Sequence, residues 1–495
     1  MIMKTRIIAV SILFSILFYV GCGDSFLNIE PPSTLTTESF YQTQEDALSA
    51  VNATYASLQT LSMYSDDYAK LIETGLDDIQ LHNTGGLTLD SWSFDATQGQ
   101  LDRPWQACYE GVFRANLVLQ EVPNIEMDET LKNRLLAEAR FMRALYYWHL
   151  SSLFGEVPLI TEADPTDVSK AEVGKSPVGD IYELMINDLE FASNNLPLKS
   201  EYGDSDLGRA SKGAAQSLLG KVYLYSENYE MAETYFDQVM DSNEYQLLED
   251  FSDLWVQDNN TESIFEVQYA STGGGAWAGN DGPGNSEGNL RLRLNLPQGR
   301  GGFANLLPTQ DLVDEYENHS GETAINGRDP RLFYSIFRDG DPYDSIDPEY
   351  DENWTPTGYT MKKGMYPVLR NEDHNYRNTP LIRFGDVILM AAEAANENNN
   401  PEKALGLLNQ IRDRVGMPNY PTLEYPATTQ REIFDAIVHE RRVELAFEYH
   451  RLNDLRRWGI AEQELEGYES PKHRYFPIPQ QEVDTNSELE QNPNY

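Results

Sequence analysis

"LLGKVYLYSENYEMAETYFDQVM", residues Leu218 to Met240, carries the spacing that decides the fold. Leu219-Gly220, Tyr223, Ala232 and Phe236 reproduce the L-G-x2-Y … A-x3-F offsets of a tetratricopeptide repeat. The physical content is simple. Gly and Ala let two antiparallel helices approach closely, while the Tyr and Phe rings fill the space left between them.

Fainter copies lie on either side. Ala392 and Ala395, followed by Ala404, Leu408 and Ile411, keep the same offsets. A third uses Ala144 and Tyr147 with the helix at 177–194, across an intervening insert. The copies are separated, so the chain reads as a helical scaffold with insertions rather than a continuous solenoid. Helices are expected at about 37–61, 103–122, 129–152, 177–194, 210–225 and 228–241, and again at 381–398, 401–414 and 430–458. Ser176-Pro177 offers a hydroxyl cap and a first-turn proline. Between about 243 and 380 Gly, Asn, Asp and Pro rise, and Ser263 to Tyr269 and Leu290 to Leu296 look like short strands. The expected class is mainly α: tetratricopeptide-like helix pairs as a scaffold, with an inserted loop-rich region containing short strands. One domain over 22–495 is expected, with the scaffold at about 37–242 and 381–460 and the insert at about 243–380. Long loops on a rigid frame are where binding concentrates, so the ligand surface is expected on the insert together with 62–102.

Composition limits the function. Hydrophobic residues make up 40% and aromatics 11%, with 29 Tyr and 19 Phe, which excludes a disordered chain. A formal charge of −43 repels nucleic acid and anionic membrane surfaces. Near the start, Lys4 and Arg6 precede an uncharged run from Ile7 to Val20, then Gly21 and Cys22. That run is about 21 Å long as a helix, short of a ~30 Å hydrocarbon core, so 1–21 reads as a signal peptide. Cys22 after Gly21 is similar to a bacterial lipobox, although Tyr19 stands where Leu is usual. Lipidation of Cys22 would anchor the mature protein in a membrane. Cys108 is then the remaining cysteine, set among Trp105, Tyr109 and Val112 as a small core residue. Neither a disulfide framework nor a thiolate zinc site is available.

The stretch "HERRVELAFEYHRLNDLRRWG", His439 to Gly459, looks most like chemistry. A zincin helix would need His at 443, where Val443 stands. Val438, Leu445, Tyr449, Leu452 and Leu455 fall on one helical stripe. Arg441–Glu444, Glu448–Arg451, Arg451–Asp454 and Asp454–Arg457 are spaced to pair along the helix. This is expected to be an ion-paired scaffold helix. No phosphate-binding G-x4-G-K-[ST] loop or G-x-S-x-G elbow occurs, and "GPGNSEG" (282–288) has the wrong spacing for a dinucleotide. "RDGDPYDSIDPEYDEN" (338–353) and "GDSDLG" (203–208) are oxygen-rich enough for a structural calcium, but neither has the EF-hand order, and solvated acidic loops are the expected reading. No other cofactor is expected.

The loop tryptophans are the best candidate ligand contacts. Trp92, Trp277 and Trp354 sit in polar, Gly-rich or Asp-rich surroundings. Sugar rings have apolar C–H faces that stack on flat indoles, while amides such as Asn280 and Asn289 take hydroxyls. The competing expectation is that each Trp pins its own loop to the core.

Seven blocks in order carry a family resemblance: Cys22 with "GDSFLNIEPPS"; "AEARFMRALYYWHLSSLFGEVPLI" (137–160); "GRASKGAAQSLLGKVYLY" (208–225); "LIRFGDVILMAAEAANE" (381–397); "ALGLLNQIRDRVGMP" (404–418); the 439–459 stretch; and "YFPIPQQEVDTNSELEQNPNY" (475–495). The chain resembles the SusD/RagB family of Bacteroidetes outer-membrane lipoproteins over nearly its whole mature length. The resemblance implies four tetratricopeptide-like helix pairs and a loop-rich binding face. It also implies a lipid-anchored, surface-exposed protein of the outer membrane. Such a protein captures oligosaccharides without catalysis and passes them to a SusC-like TonB-dependent transporter. Some relatives capture peptides instead, and a surface glycoside hydrolase is the remaining alternative. Asp78 and Trp92 occupy the N-terminal region that commonly contributes to binding, and Trp277 and Trp354 the inserted one.

Overall fold

The computed structural model describes residues 40–82, 89–163, 172–270, 288–365, 368 and 376–495. Cys22 and the signal peptide lie outside these residues.

The chain enters through α1 (Gln44–Gln59), where Thr43 and Asp46 cap each other's backbone reciprocally. An irregular turn at Leu61–Ser65 leads to α2 (Asp67–Glu73) and β1 (Ile79–Leu81). Two long helices follow, α3 (Gly99–Glu121) and α4 (Glu129–Phe154), the latter capped by the Asp128 carboxylate. Next come α5 (Val178–Asn195), α6 (Lys212–Tyr225) and α7 (Tyr229–Asp241). The α5 cap differs from expectation. Pro177 occupies the N-cap without a side-chain bond, and the Ser176 amide donates to the Val157 carbonyl instead.

The α6/α7 pair is built as its spacing requires. A Cβ placed on Gly220 would lie 2.5 Å from the Phe236 ring, so only glycine admits this approach. Tyr223 stacks on Tyr235 with ring centroids 5.7 Å apart, and Ala232 and Phe236 are fully buried. Between α4 and α5 an Arg143–Asp188 pair, bonded at 2.7 and 2.8 Å, is added to the apolar contact.

The insert is irregular. Its elements are β2 (Ser263–Val267), α8 (Arg291–Asn295), β3 (Leu306–Pro308), α9 (Gln310–Glu315), α10 (Pro330–Ser335), β4 (Ile336–Phe337), β5 (Thr360–Met361) and β6 (Thr379–Arg383). Three two-stranded antiparallel ribbons result: β1 with β3 (Ile79 opposite Pro308), β2 with β6 (Val267 opposite Thr379) and β4 with β5 (Phe337 opposite Thr360). The expected strand at 290–296 is helix α8. Its Leu292 and Leu294 point to two different apolar clusters, a division a one-sided strand would not make. A small core gathers Ile79, Leu306, Tyr316, Phe337, Tyr350 and Met361, and Val443, Ala446 and Phe447 of the scaffold join it.

The scaffold resumes with α11 (Phe384–Glu397) and α12 (Pro401–Val415), where Ala391, Ala392, Ala394, Ala395, Ala404, Leu408 and Ile411 are fully buried. Then come α13 (Gln430–Glu444), α14 (Arg451–Trp458), α15 (Ala461–Glu464) and α16 (Gln480–Thr485). The single helix expected at 430–458 is therefore two. It breaks at 445–450, where Phe447 (φ 66°) and Tyr449 (φ 68°) adopt left-handed backbone. The break is held by cations: Lys363 Nζ donates to the Glu444 and Ala446 carbonyls and to Glu448, and Arg291 donates to the Phe447 carbonyl. Because of it, three of the expected helix-local pairs are replaced by long-range ones. Arg441 binds Asp386 and Asp454, Glu448 binds Arg383 and Lys363, and Arg451 binds Asp77, while Asp454–Arg457 forms as expected. Cys108 is buried, with its thiol 3.8 Å from the Met63 sulfur.

Candidate ligand-binding site

Tyr269 and Asn289 flank the stretch 271–287, and both are fastened to one strand end. The Tyr269 amide donates to Asn378 (2.9 Å), and the Asn289 side-chain amide donates to the Thr379 hydroxyl (3.0 Å). The Asn289 carbonyl oxygen accepts from the Arg291 amide at 2.7 Å, so this buried side chain starts α8. It is an anchor of the expected ligand loop rather than a free contact. Trp277 and Asn280 fall within 271–287, outside the described residues.

Trp92 is a core residue. Its ring is 2% exposed and meets Tyr468, His473, Phe94 and Phe476 at centroid distances of 4.8, 5.3, 5.9 and 6.2 Å. Its indole N–H donates to the Gly75 carbonyl at 3.0 Å. Gly75 turns with φ +69°, and a Cβ there would come within 2.9 Å of the indole. No face of the ring is left for a solute, so of the two expectations for this tryptophan the loop-pinning one holds. Sequence context misled because, apart from Phe94, the ring partners lie more than 370 residues away in the chain, at the C-terminal segment.

Asp78 is likewise internal. Its carboxylate accepts from Arg442 Nε at 2.8 Å, beside Asp77, which pairs with Arg442 and Arg451 at 3.0 and 2.6 Å. Burial raises Asp78 to about 6 even though Arg442 opposes it. The residue ties the 74–81 segment to α13 and offers a ligand nothing.

Trp354 is placed differently. It is half-buried, with its inner side edge-on to Tyr343 and Tyr350 (5.1 and 5.2 Å). The Arg300 guanidinium lies 4.6 Å above the ring and pairs with Asp347 at 2.9 Å. Arg300 and Asp347 are each about one-third exposed. Arg300 is carried by a turn, "PQGRGGF" (297–303), in which Gly299 (φ +76°) and Gly301 (φ +101°) take backbone that other residues avoid. The same turn brings Phe303 beside Leu61, Leu290 and Leu294, with Arg293 stacked 5.0 Å over the Phe303 ring. An indole, a guanidinium and a carboxylate at a partly open surface form an apolar platform bordered by hydrogen-bonding groups, the composition that suits a sugar. Sequence reasoning did not single out Arg300. The available signal was an arginine flanked by glycines in a strongly acidic chain.

The acidic loops are occupied internally. Asp344 accepts from the Ile346 and Asp347 amides, Asp341 accepts from the Arg338 amide, and Asp206 pairs with Arg209 and Arg134. Among the described residues no cluster of three or more His, Cys, Asp or Glu is arranged to hold a metal. His439 is bonded to Glu315 (2.6 Å) and Glu317 (3.2 Å), one carboxylate per ring nitrogen. Burial alone would pull its pKa down, but the two carboxylates outweigh burial and raise it to about 9. The stretch that looked most like chemistry is thus committed to ion pairs, as expected.

Comparison with known proteins adds the context. A family model described as "SusD family" matches residues 261–475, and one described as "Starch-binding associating with outer membrane" matches residues 25–224. SusD-like protein P25 of Formosa agariphila is 27% identical, covering 94% of this chain and 94% of its own. A solved structure named as a laminarin binding SusD-like protein superposes with a TM-score of 0.77 at 29% identity, over 92% of this chain and 100% of that one. A SusD superfamily protein from Bacteroides vulgatus superposes with a TM-score of 0.79 at 25% identity, over 92% and 100%.

Proposed function

This chain belongs to the SusD family, and from that premise we propose that it is a non-catalytic, lipid-anchored outer-membrane protein that captures an oligosaccharide at the cell surface. It delivers that nutrient to a SusC-like TonB-dependent transporter, with the helix-pair face docking on the transporter. The observation that carries the reading is Trp354 with Arg300 and Asp347 at the open edge of the insert. The laminarin-binding relative and the starch-binding description of the N-terminal model support carbohydrate as the ligand class.

Arg300 acts as a displaceable cover. A sugar ring approaching the indole takes its place, and the guanidinium and the Asp347 carboxylate then meet the hydroxyls. Trp277 and Asn280, which lie in the sequence between the anchored Tyr269 and Asn289, add a second set of contacts to the sugar. The test is calorimetric titration with an oligosaccharide panel. Trp354→Ala should weaken binding by about tenfold, about 1.4 kcal/mol, and Trp277→Ala should do likewise, with no sugar hydrolysed. If a peptide mixture and no glycan raises the melting temperature, peptide capture replaces this reading. Release of reducing ends by the purified protein would make it a hydrolase.

A further inference from the structure

A sizeable hollow lies away from the insert. It is a groove of about 730 Å³ on the scaffold, between α3, the segment 158–162 and the C-terminal residues 482–489. Tyr109, Val112, Phe113, Leu159, Ile160 and Leu489 supply an apolar floor. Phe113 is 37% exposed, one of few large apolar side chains so placed among the described residues. Singly exposed apolar residues need no explanation, but one that opens into an apolar groove marks a contact surface.

The groove's charge narrows the occupant. Glu162, Glu172 and Glu482 line it, and no Lys or Arg does among the described residues. A second copy of the chain would bring another −43 of formal charge to these carboxylates, and an anionic lipid surface would be repelled in the same way. A neutral sugar would draw nothing from their charge. We propose that this groove seats a protein segment whose apolar side chains fill the floor between Tyr109 and Phe113 while its flanking lysines or arginines meet Glu172 and Glu482. Glu482 is half-buried, and desolvation raises its carboxyl above the usual range, so an arriving cation relieves a cost already present. None of these residues belongs to the Trp354 site, so the inference does not rest on where a sugar binds.

The experiment uses the full mature chain and a synthetic amphipathic peptide of leucine and lysine, with a twin in which every lysine is glutamate. Because any cationic peptide is attracted to so acidic a protein, the decisive variant leaves charge untouched. Phe113→Gln should weaken the leucine–lysine peptide by about tenfold. The Glu172→Gln, Glu482→Gln pair should weaken it several-fold, and the acidic twin should not bind. Hydrogen exchange on the unaltered protein should show protection confined to 105–113, 158–162 and 482–489, which guards against a variant that misfolds. Unchanged affinity in Phe113→Gln, equal binding of the acidic twin, or protection elsewhere would each overturn the proposal. So would protection of this groove by a neutral oligosaccharide.

Discussion

Trp92 and Trp354 are chemically identical and differently placed. The first is enclosed by Phe94, the Gly75 turn and C-terminal aromatics, and the second is half-buried beneath the Arg300 guanidinium. Trp92→Ala should therefore cost about 3–5 kcal/mol of stability and leave the affinity of the folded fraction for oligosaccharide unchanged. Trp354→Ala should show the reverse, and paired melting and titration measurements separate them. His439 makes a second residue-scale prediction. Its folded pKa of about 9 lies above the ordinary value of 6.5, so the proton it holds stabilises the fold fully below pH 6.5. That contribution fades as pH rises through 9. At pH 7 it amounts to about 2–3 kcal/mol. In denaturant titrations the gap between the natural protein and His439→Gln should be wide at pH 6 and nearly closed at pH 10. An equal gap at both ends would refute it.

At the scale of elements, the sequence was most legible where local spacing and packing agree. The α6/α7 pair follows from five residues, because a glycine that touches a phenylalanine 16 positions later can be seen in the string itself. Gly220→Leu should destabilise by about 2–3 kcal/mol, and combining it with Phe236→Ala should cost less than the two changes summed, measured as a double-mutant cycle. Helix α13 shows the limit of such reading. The apolar stripe from Val438 to Leu455 carries across 445–450, yet the helix breaks there, because Lys363, Arg383 and Arg291 from distant segments claim the carbonyls an unbroken helix would use. Nothing within 430–458 announces partners that lie 60 to 160 positions away. Helix α8 was misread for a related reason: five residues are too few to establish a period.

Across the whole molecule, the insert and scaffold are joined by charge as much as by apolar contact. Arg331 of α10 binds Asp329, Glu440 and Glu444. Arg412 reaches Glu317 and Glu440, and Arg383 reaches Glu262, Glu444 and Glu448. All three guanidiniums are buried, so removing one strands several carboxylates away from water. Arg331→Met should accordingly cost about 3–5 kcal/mol, and its thermal transition should separate into two steps as the insert loses its attachment. A single, merely earlier transition would mean that the apolar contacts of Val443, Ala446 and Phe447 suffice. These pairings also explain why binding residues were harder to find than the fold. In a chain with 80 acidic and 37 basic side chains, nothing in the string separates the charges taken up inside, such as Arg331, Glu440 and Glu444, from those left at the surface.

The two neighbouring residues Asn378 and Thr379 grip both ends of one long stretch, and this has a corollary. When entry and exit are clamped side by side, lengthening what lies between adds only a slowly growing entropic term, about 0.6 kcal/mol per doubling. The frame on either side can therefore tolerate changes of length and sequence in that stretch without being redesigned itself.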